Sequence, residues 1–252
     1  MTDEEDDRRS EQEGIREDVR QAVAARMLCD GMSDEIISKY TELPVWKIAA
    51  ERNRIMRIAQ EKHEKAIRLI RKAENSNEHM EIIAGKEVIE NDTAVEHHSI
   101  VVSLADALNR YMTEHEYPAV VFAETAGLYV NDVCEDIFDY YLPDVMVVSN
   151  LKEVDGKGIH CAPVFVAEVD SPTSRGHNYT SKMAVYGKMG VKEYWVINTK
   201  QRKVYQYVLE DDYAPNIFPD TSRMISSALP SLEIDLSMFV NSEGDPDDNR
   251  KE

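Results

Sequence analysis

Leu142-Pro143-Asp144-Val145-Met146-Val147-Val148 and, after a loop, Pro163-Val164-Phe165-Val166-Ala167-Glu168-Val169-Asp170-Ser171-Pro172 are the runs that decide how this chain folds. A helical run carrying Lys182 and Tyr186 follows, and Gly190-Val191-Lys192-Glu193-Tyr194-Trp195-Val196-Ile197-Asn198 closes the stretch. Both apolar runs are short and continuous, the pattern of strands buried on both faces. Each carries a carboxylate at one end, Asp144 before the first and Glu168 near the end of the second. Strands of this kind lie side by side, so the two carboxylates converge. Burying them is costly unless they are paired or hold a metal, and hard oxygen donors suit a divalent cation.

Working outward, the next pieces read as strands and one helix. Met80 to Ile89 forms two short strands around a turn containing Gly85. A helix is expected from about Ala94 to Glu114, with Ile100, Leu104, Leu108 and Tyr111 on one face. Strands follow near Ala119–Glu124 and Gly127–Val130, and Val204–Leu209 alternates as another. Met224 to Leu236 is apolar enough to pack on the same body. Strands and helices interleave without a long βαβ series, which predicts an α/β (α+β) fold with a mixed central sheet flanked by helices.

Upstream, residues 14–75 read as an all-helical segment, helix-turn-helix-like or oligomerising. Val19, Val23, Met27 and Leu28 mark an apolar stripe at helical spacing. Gly31 suits a left-handed cap, Ser33 the start of a second helix, and Pro44 the first turn of a third. A long basic helix then runs from about Trp46 to Ala73. Between residues 51 and 72, Arg52, Arg54, Arg57, Lys62, Lys65, Arg68, Arg71 and Lys72 face only Glu51, Glu61 and Glu64. Such a strip either steers a polyanion or is a solvated face with Glu–Lys pairs. The full division is 1–13 and 241–252 as disordered acidic tails, 14–75 helical, and 76–240 the main domain.

Composition bounds the function. The 252 residues carry a formal net charge of -19, which argues against a simple nucleic-acid coat protein. No apolar run approaches the roughly 20 residues that span a bilayer, so no membrane partner is expected. The acidic beginning is unlike a signal peptide. Cys29, Cys134 and Cys161 lack both ligand spacing and a disulfide framework, which points to a reducing cytoplasm. His160 beside Cys161 is too isolated for a zinc site, and His97 and His98 at a helix start read as structural.

From Glu81 to about Phe239 the chain resembles the Uma2 family, a group with the restriction-endonuclease-like fold. The residues carrying the likeness are Glu81-Ile-Ile-Ala-Gly85, His97-x-x-Ile100, Pro143-Asp144-Val-Met-Val-Val148 and Ala167-Glu168-Val169-x-Ser171-Pro172. Lys182-x-x-x-Tyr186-x-x-x-Gly190-Val191-x-Glu193-Tyr194-Trp195 and Leu229-Pro-Ser-Leu-Glu-Ile-Asp-Leu236 complete the set. The resemblance implies a PD-(D/E)xK-type endonuclease that hydrolyses DNA. Asp144, Glu168 and the carbonyl of Val169 would hold Mg²⁺ or Mn²⁺, with the lysine moved to the following helix as Lys182. Asp170 occupies the usual lysine position and is either a further ligand or a like-charge perturbation of Glu168. Tyr186, Glu81, Glu124 and His177 are further candidates to line the site. Asn178 and Asn198 stand where relatives often carry acidic residues. Nucleases of this fold often pair to cut two strands, so a homodimer or higher homo-oligomer is expected. The alternative is a catalytically inactive scaffold or binding protein of the same fold that uses its helical segment.

Overall fold

The computed structural model describes residues 3–90, 95–124, 126–134, 136–170 and 175–239, with side chains from residue 12 onward except that of Arg175. The tail expected over 241–252 and the Ser171-Pro172 pair lie outside the described residues. The chain divides into two units, Met1–Lys65 and Ala66–Glu252.

The first unit is helical. It contains α1 (Asp3–Cys29), α2 (Asp34–Thr41) and the first part of α3 (Val45–Glu74). Helix α1 begins inside the stretch expected to be a disordered tail and passes through Gly14 without a break. Its Glu, Arg and Gln residues are good helix formers, and propagation adds one hydrogen bond per residue once a turn exists. Gly31 adopts φ 78° and ends α1, its amide donating to Leu28 O while Met32 N donates to Met27 O. Pro44 precedes α3 and supplies the carbonyl that accepts from Lys47 N and Ile48 N. The small core of this unit is Ala24, Leu28, Ile37, Leu43 and Ile48. Val19 and Val23, expected on the packed stripe, are exposed, because the buried face of α1 is its Ala24–Leu28 end.

The second unit is built on a six-stranded sheet of order β10-β9-β8-β7-β6-β3. Its strands are β3 (Val120–Ala123), β6 (Val145–Val148), β7 (Phe165–Val169), β8 (Glu193–Asn198), β9 (Lys203–Val208) and β10 (Pro215–Pro219). Only β7 and β8 run parallel; the other neighbours are antiparallel. The mixed sheet read from the sequence is therefore present. Every residue of β6, β7 and β8 is buried, as continuous apolar runs require. Val145, Val147, Phe165, Ala167, Trp195 and Ile197 face helix α4 (Val95–Glu114) and the segment after Met224. Met146, Val148, Val166, Tyr194 and Val196 face the other way, toward Tyr186 and a smaller sheet.

That smaller sheet has the order β2-β1-β5-β4. Strands β1 (His79–Ile83) and β2 (Lys86–Glu90) form the expected hairpin, turning at Ala84 (φ 51°) and Gly85 (φ 69°). The buried Asp139 accepts from both turn amides, and Tyr141, in β5 (Tyr140–Tyr141), donates its hydroxyl to the same carboxylate. Strand β4 is Leu128–Tyr129. A β11–β12 hairpin (Arg223–Ile225 with Glu233–Asp235) completes the unit. No described helix is long and apolar enough to cross a membrane.

Candidate active site

The β6–β7 pairing explains why two carboxylates meet. Val145 stands opposite Ala167 and Met146 opposite Val166, so continuing the register sets Asp144 against Glu168. Both share the parity of Met146 and Val166 and belong to the face that carries Tyr186. The backbone N–H of Val169 donates to Asp144 Oδ2 at 2.6 Å, which locks one carboxylate onto the neighbouring strand.

The lysine reaches this point through an irregular helix. Helix α5 (Arg175–His177) passes into a π turn (Asn178–Lys182) and then α6 (Met183–Met189), which ends at Gly190 with φ 84°. A π turn inserts an extra residue into the helical ladder and commonly marks a functional position. Lys182, its last residue, is fully buried. Its ammonium lies 2.8 Å from Glu81 Oε2 and 3.0 Å from Glu168 Oε1, above the Tyr141 ring. Tyr186 donates to the same Glu168 oxygen at 2.8 Å, one turn further along the helix. Glu81 Oε1 accepts from Leu142 N at 2.7 Å.

These contacts set the protonation balance. Burial opposes a charge on Lys182, but Glu168, Glu81 and Glu90 outweigh it and hold the ammonium above lysine's usual range. Burial pushes Glu168 well up; Lys182 pulls it down, while Asp144, Glu81 and Glu90 push it further up. Burial likewise raises Glu90, to about 7. One ammonium thus serves Glu168, Glu81 and Glu90, while Asp144 adds a further carboxylate beside Glu168.

On its other side Asp144 opens onto a cavity of about 250 Å³ lined by His79, Glu90, His97, His98, Glu124 and Asp144. His97 Nε2 lies 3.1 Å from Glu124 Oε1 and 3.3 Å from Asp144 Oδ1. His98 Nδ1 lies 3.2 Å from Glu124 Oε1. Glu124 adopts φ 49°, and its N–H donates to Asp144 O. A left-handed φ is unusual for glutamate. The donor atoms of His97, His98 and Glu124 lie within 4.8 Å of one another, close enough to hold one metal ion.

Of the residues singled out in the sequence, Asp144, Glu168, Val169, Lys182, Tyr186, Glu81 and Glu124 come together here. Asp170 does not. Its carboxylate accepts from Asn198 Nδ2 at 2.9 Å and faces the Tyr179 hydroxyl. Asn198, one of the two positions where relatives often carry an acidic residue, is thus coupled to Asp170, because an aspartate at 198 would set two carboxylates against each other. His177 is half-buried and is not among the cavity residues. Missed at the sequence level were Glu90 and His79, which stand opposite each other at the open end of the β1–β2 hairpin. His97 and His98, read as structural, border the site.

The comparisons with known proteins agree with this architecture. No curated protein matches the chain significantly. Among solved structures, one described as a "putative nuclease belonging to DUF820" from Anabaena variabilis ATCC 29413 superposes with a TM-score of 0.53. The identity is 18%, over 64% of this chain and 91% of that one, so the likeness is one of fold. Residues 64–237 match the Uma2 family model, described as "Putative restriction endonuclease", and the chain belongs to that family.

Proposed function

We propose that the protein is a divalent-cation-dependent endodeoxyribonuclease, with Asp144, Glu168 and the Val169 carbonyl holding the ion and Lys182 assisting the attack of water. The observation that carries this reading is the fully buried Lys182, bridged between Glu81 and Glu168 beside Asp144. A structural ion pair needs one carboxylate for one ammonium. Here the carboxylates outnumber the lysine, and the donor set is hard oxygen, which suits Mg²⁺ or Mn²⁺. A bound divalent ion would polarise the scissile phosphate and lower the pKa of a coordinated water.

The chain's own residues do the rest. Lys182 stays charged, so it acts as an electrostatic group that orients water and offsets charge on the phosphate, not as a general base. Tyr186 and Glu81 fix where that ammonium sits by holding Glu168 and Lys182 from opposite sides. Asp144 is oriented by the Val169 amide. In an acidic chain, Arg54, Arg57, Lys62 and Lys65 on α3 are exposed cations that favour contact with a polyanion. The reading includes a homodimer for cutting both strands, and a cytoplasmic setting consistent with three free cysteines.

Supercoiled plasmid with Mg²⁺ or Mn²⁺ tests the proposal. Wild type nicks it, and Asp144→Ala and Lys182→Ala do not. Cleavage that survives Lys182→Ala removes the lysine's role. Failure of the wild type on supercoiled, single-stranded and branched DNA alike favours the inactive scaffold.

A further inference from the structure

We propose that His97, His98 and Glu124, together with Asp144, form a second cation pocket of mixed imidazole and carboxylate donors that takes a borderline transition ion (Zn²⁺ or Co²⁺) in preference to Mg²⁺.

Three observations carry this. The first is geometry. Two donors at about 2.0–2.2 Å on opposite sides of one ion lie up to about 4.4 Å apart. The ligating atoms of His97, His98 and Glu124 lie within 4.8 Å of one another, so side-chain shifts of a few tenths of an ångström close them on an ion. His97 also reaches Asp144 Oδ1 at 3.3 Å, so a fourth donor borders the group. The second is an unanswered polar atom. Glu90 is 8% exposed and lines the same cavity, yet its Oε1 has no hydrogen-bond partner among the described residues. A buried carboxylate oxygen without a donor is costly to leave unanswered, and a cation with its water ligands supplies what it lacks. The third is donor chemistry. Imidazole nitrogen suits Zn²⁺ and borderline neighbours such as Co²⁺, whereas Mg²⁺ and Mn²⁺ prefer oxygen and Mg²⁺ keeps its water.

The local fold assembles the pocket from three places. His97 and His98 stand in the first turns of α4, Glu124 leaves the end of β3 at φ 49°, and Glu90 ends β2. The cavity of about 250 Å³ leaves room beside an ion for water or a phosphate oxygen. The pocket rests on the nuclease reading only through Asp144, which both sites share; Glu168 and Lys182 belong to the other side.

The test uses the full-length chain. Zn²⁺, Co²⁺ and Mg²⁺ are titrated calorimetrically into wild type, His98→Ala, Glu124→Gln and Glu168→Gln, and bound Cu²⁺, a paramagnetic stand-in with an affinity for imidazole, is examined by pulsed electron paramagnetic resonance. His98 is half-exposed, so its removal leaves the fold intact, and the apo melting temperature checks this. The expected result is Zn²⁺ binding weakened about tenfold or more by His98→Ala and by Glu124→Gln, nitrogen coupling to Cu²⁺ that drops in His98→Ala, and both retained in Glu168→Gln. Cation binding without nitrogen coupling, unchanged in His98→Ala and lost in Glu168→Gln, overturns the pocket and leaves the nuclease site standing. Absence of any divalent binding overturns both. Nitrogen-coupled binding in a protein that cleaves no DNA upholds the pocket and removes the nuclease reading.

Discussion

Two glutamates are buried at opposite ends of the parallel β7–β8 pair, and they are treated differently. Glu193, the first residue of β8, is fully enclosed and meets four neutral donors: Trp195 Nε1 at 2.7 Å, Gln206 Nε2 at 2.6 Å, the Ser226 hydroxyl at 2.5 Å and Ala228 N at 2.8 Å. Glu168, near the end of β7, meets a charged lysine and a tyrosine within a crowd of other carboxyl groups, and an open cavity lies beyond its neighbour Asp144. The first is a finished structural network. The second is left short of positive charge at the carboxyl end of parallel strands, where α/β folds bind ligands. Burial alone does not mark a site; incomplete compensation does.

The contrast breaks most readily under substitution of the acids. Asp144→Asn is expected to reduce DNA cleavage by at least about 100-fold, the scale of losing one well-placed electrostatic group, as measured by plasmid nicking. Glu193→Ala is expected to cost about 3–5 kcal/mol of stability, because four buried donors lose their acceptor. Thermal unfolding reads that loss, while calorimetry finds divalent binding unchanged.

The pH dependence sharpens the same comparison. Glu90 is raised from 4.5 to about 7 by burial. A carboxyl raised in the folded state favours folding fully below its unfolded pKa, and that contribution fades as pH rises through the folded value. The apo protein is therefore expected to lose up to about 3 kcal/mol between pH 5 and 8, with Glu90→Gln flattening the slope. Divalent cations are expected to restore stability at the alkaline end, since they replace the displaced protons. A melting series across pH, with and without Mn²⁺, measures both. The smallest effect belongs to Asn198→Asp, expected to cost about 1 kcal/mol by placing a second carboxylate on Asp170; Asp170→Asn in the same background should recover it.

Much of this was legible in the sequence because local pattern dictated it. The runs Val145–Val148 and Phe165–Val169 could only be buried strands, and each displayed its carboxylate at the strand end. Gly85 and Gly31 announced their turns through the left-handed backbone they adopt. Long-range packing hid the rest. His97 and His98 have no ligand spacing along the chain, and they gain meaning only when α4 lies against β3 and brings them to Glu124. Glu90 and His79 carry no local signal that marks them out, and only their register sets them at the mouth of a cavity. The π turn that delivers Lys182 has no signature in residue type, since the same residues read equally well as an α-helix. Val19 and Val23 matched helical spacing, yet spacing does not say which part of a helix finds a partner.

The most direct test of the central claim is single-turnover cleavage of supercoiled plasmid in Mn²⁺ by Glu168→Gln, with the melting temperature of the same sample. Glutamine keeps the acceptor for Lys182 and Tyr186 but removes one negative charge from a crowded cluster. Cleavage should fall at least about 100-fold while the melting temperature holds or rises, as at a site that gives up stability for function. Cleavage that persists, or a melting temperature that falls as far as in Glu193→Ala, would make Glu168 a structural residue and contradict the account.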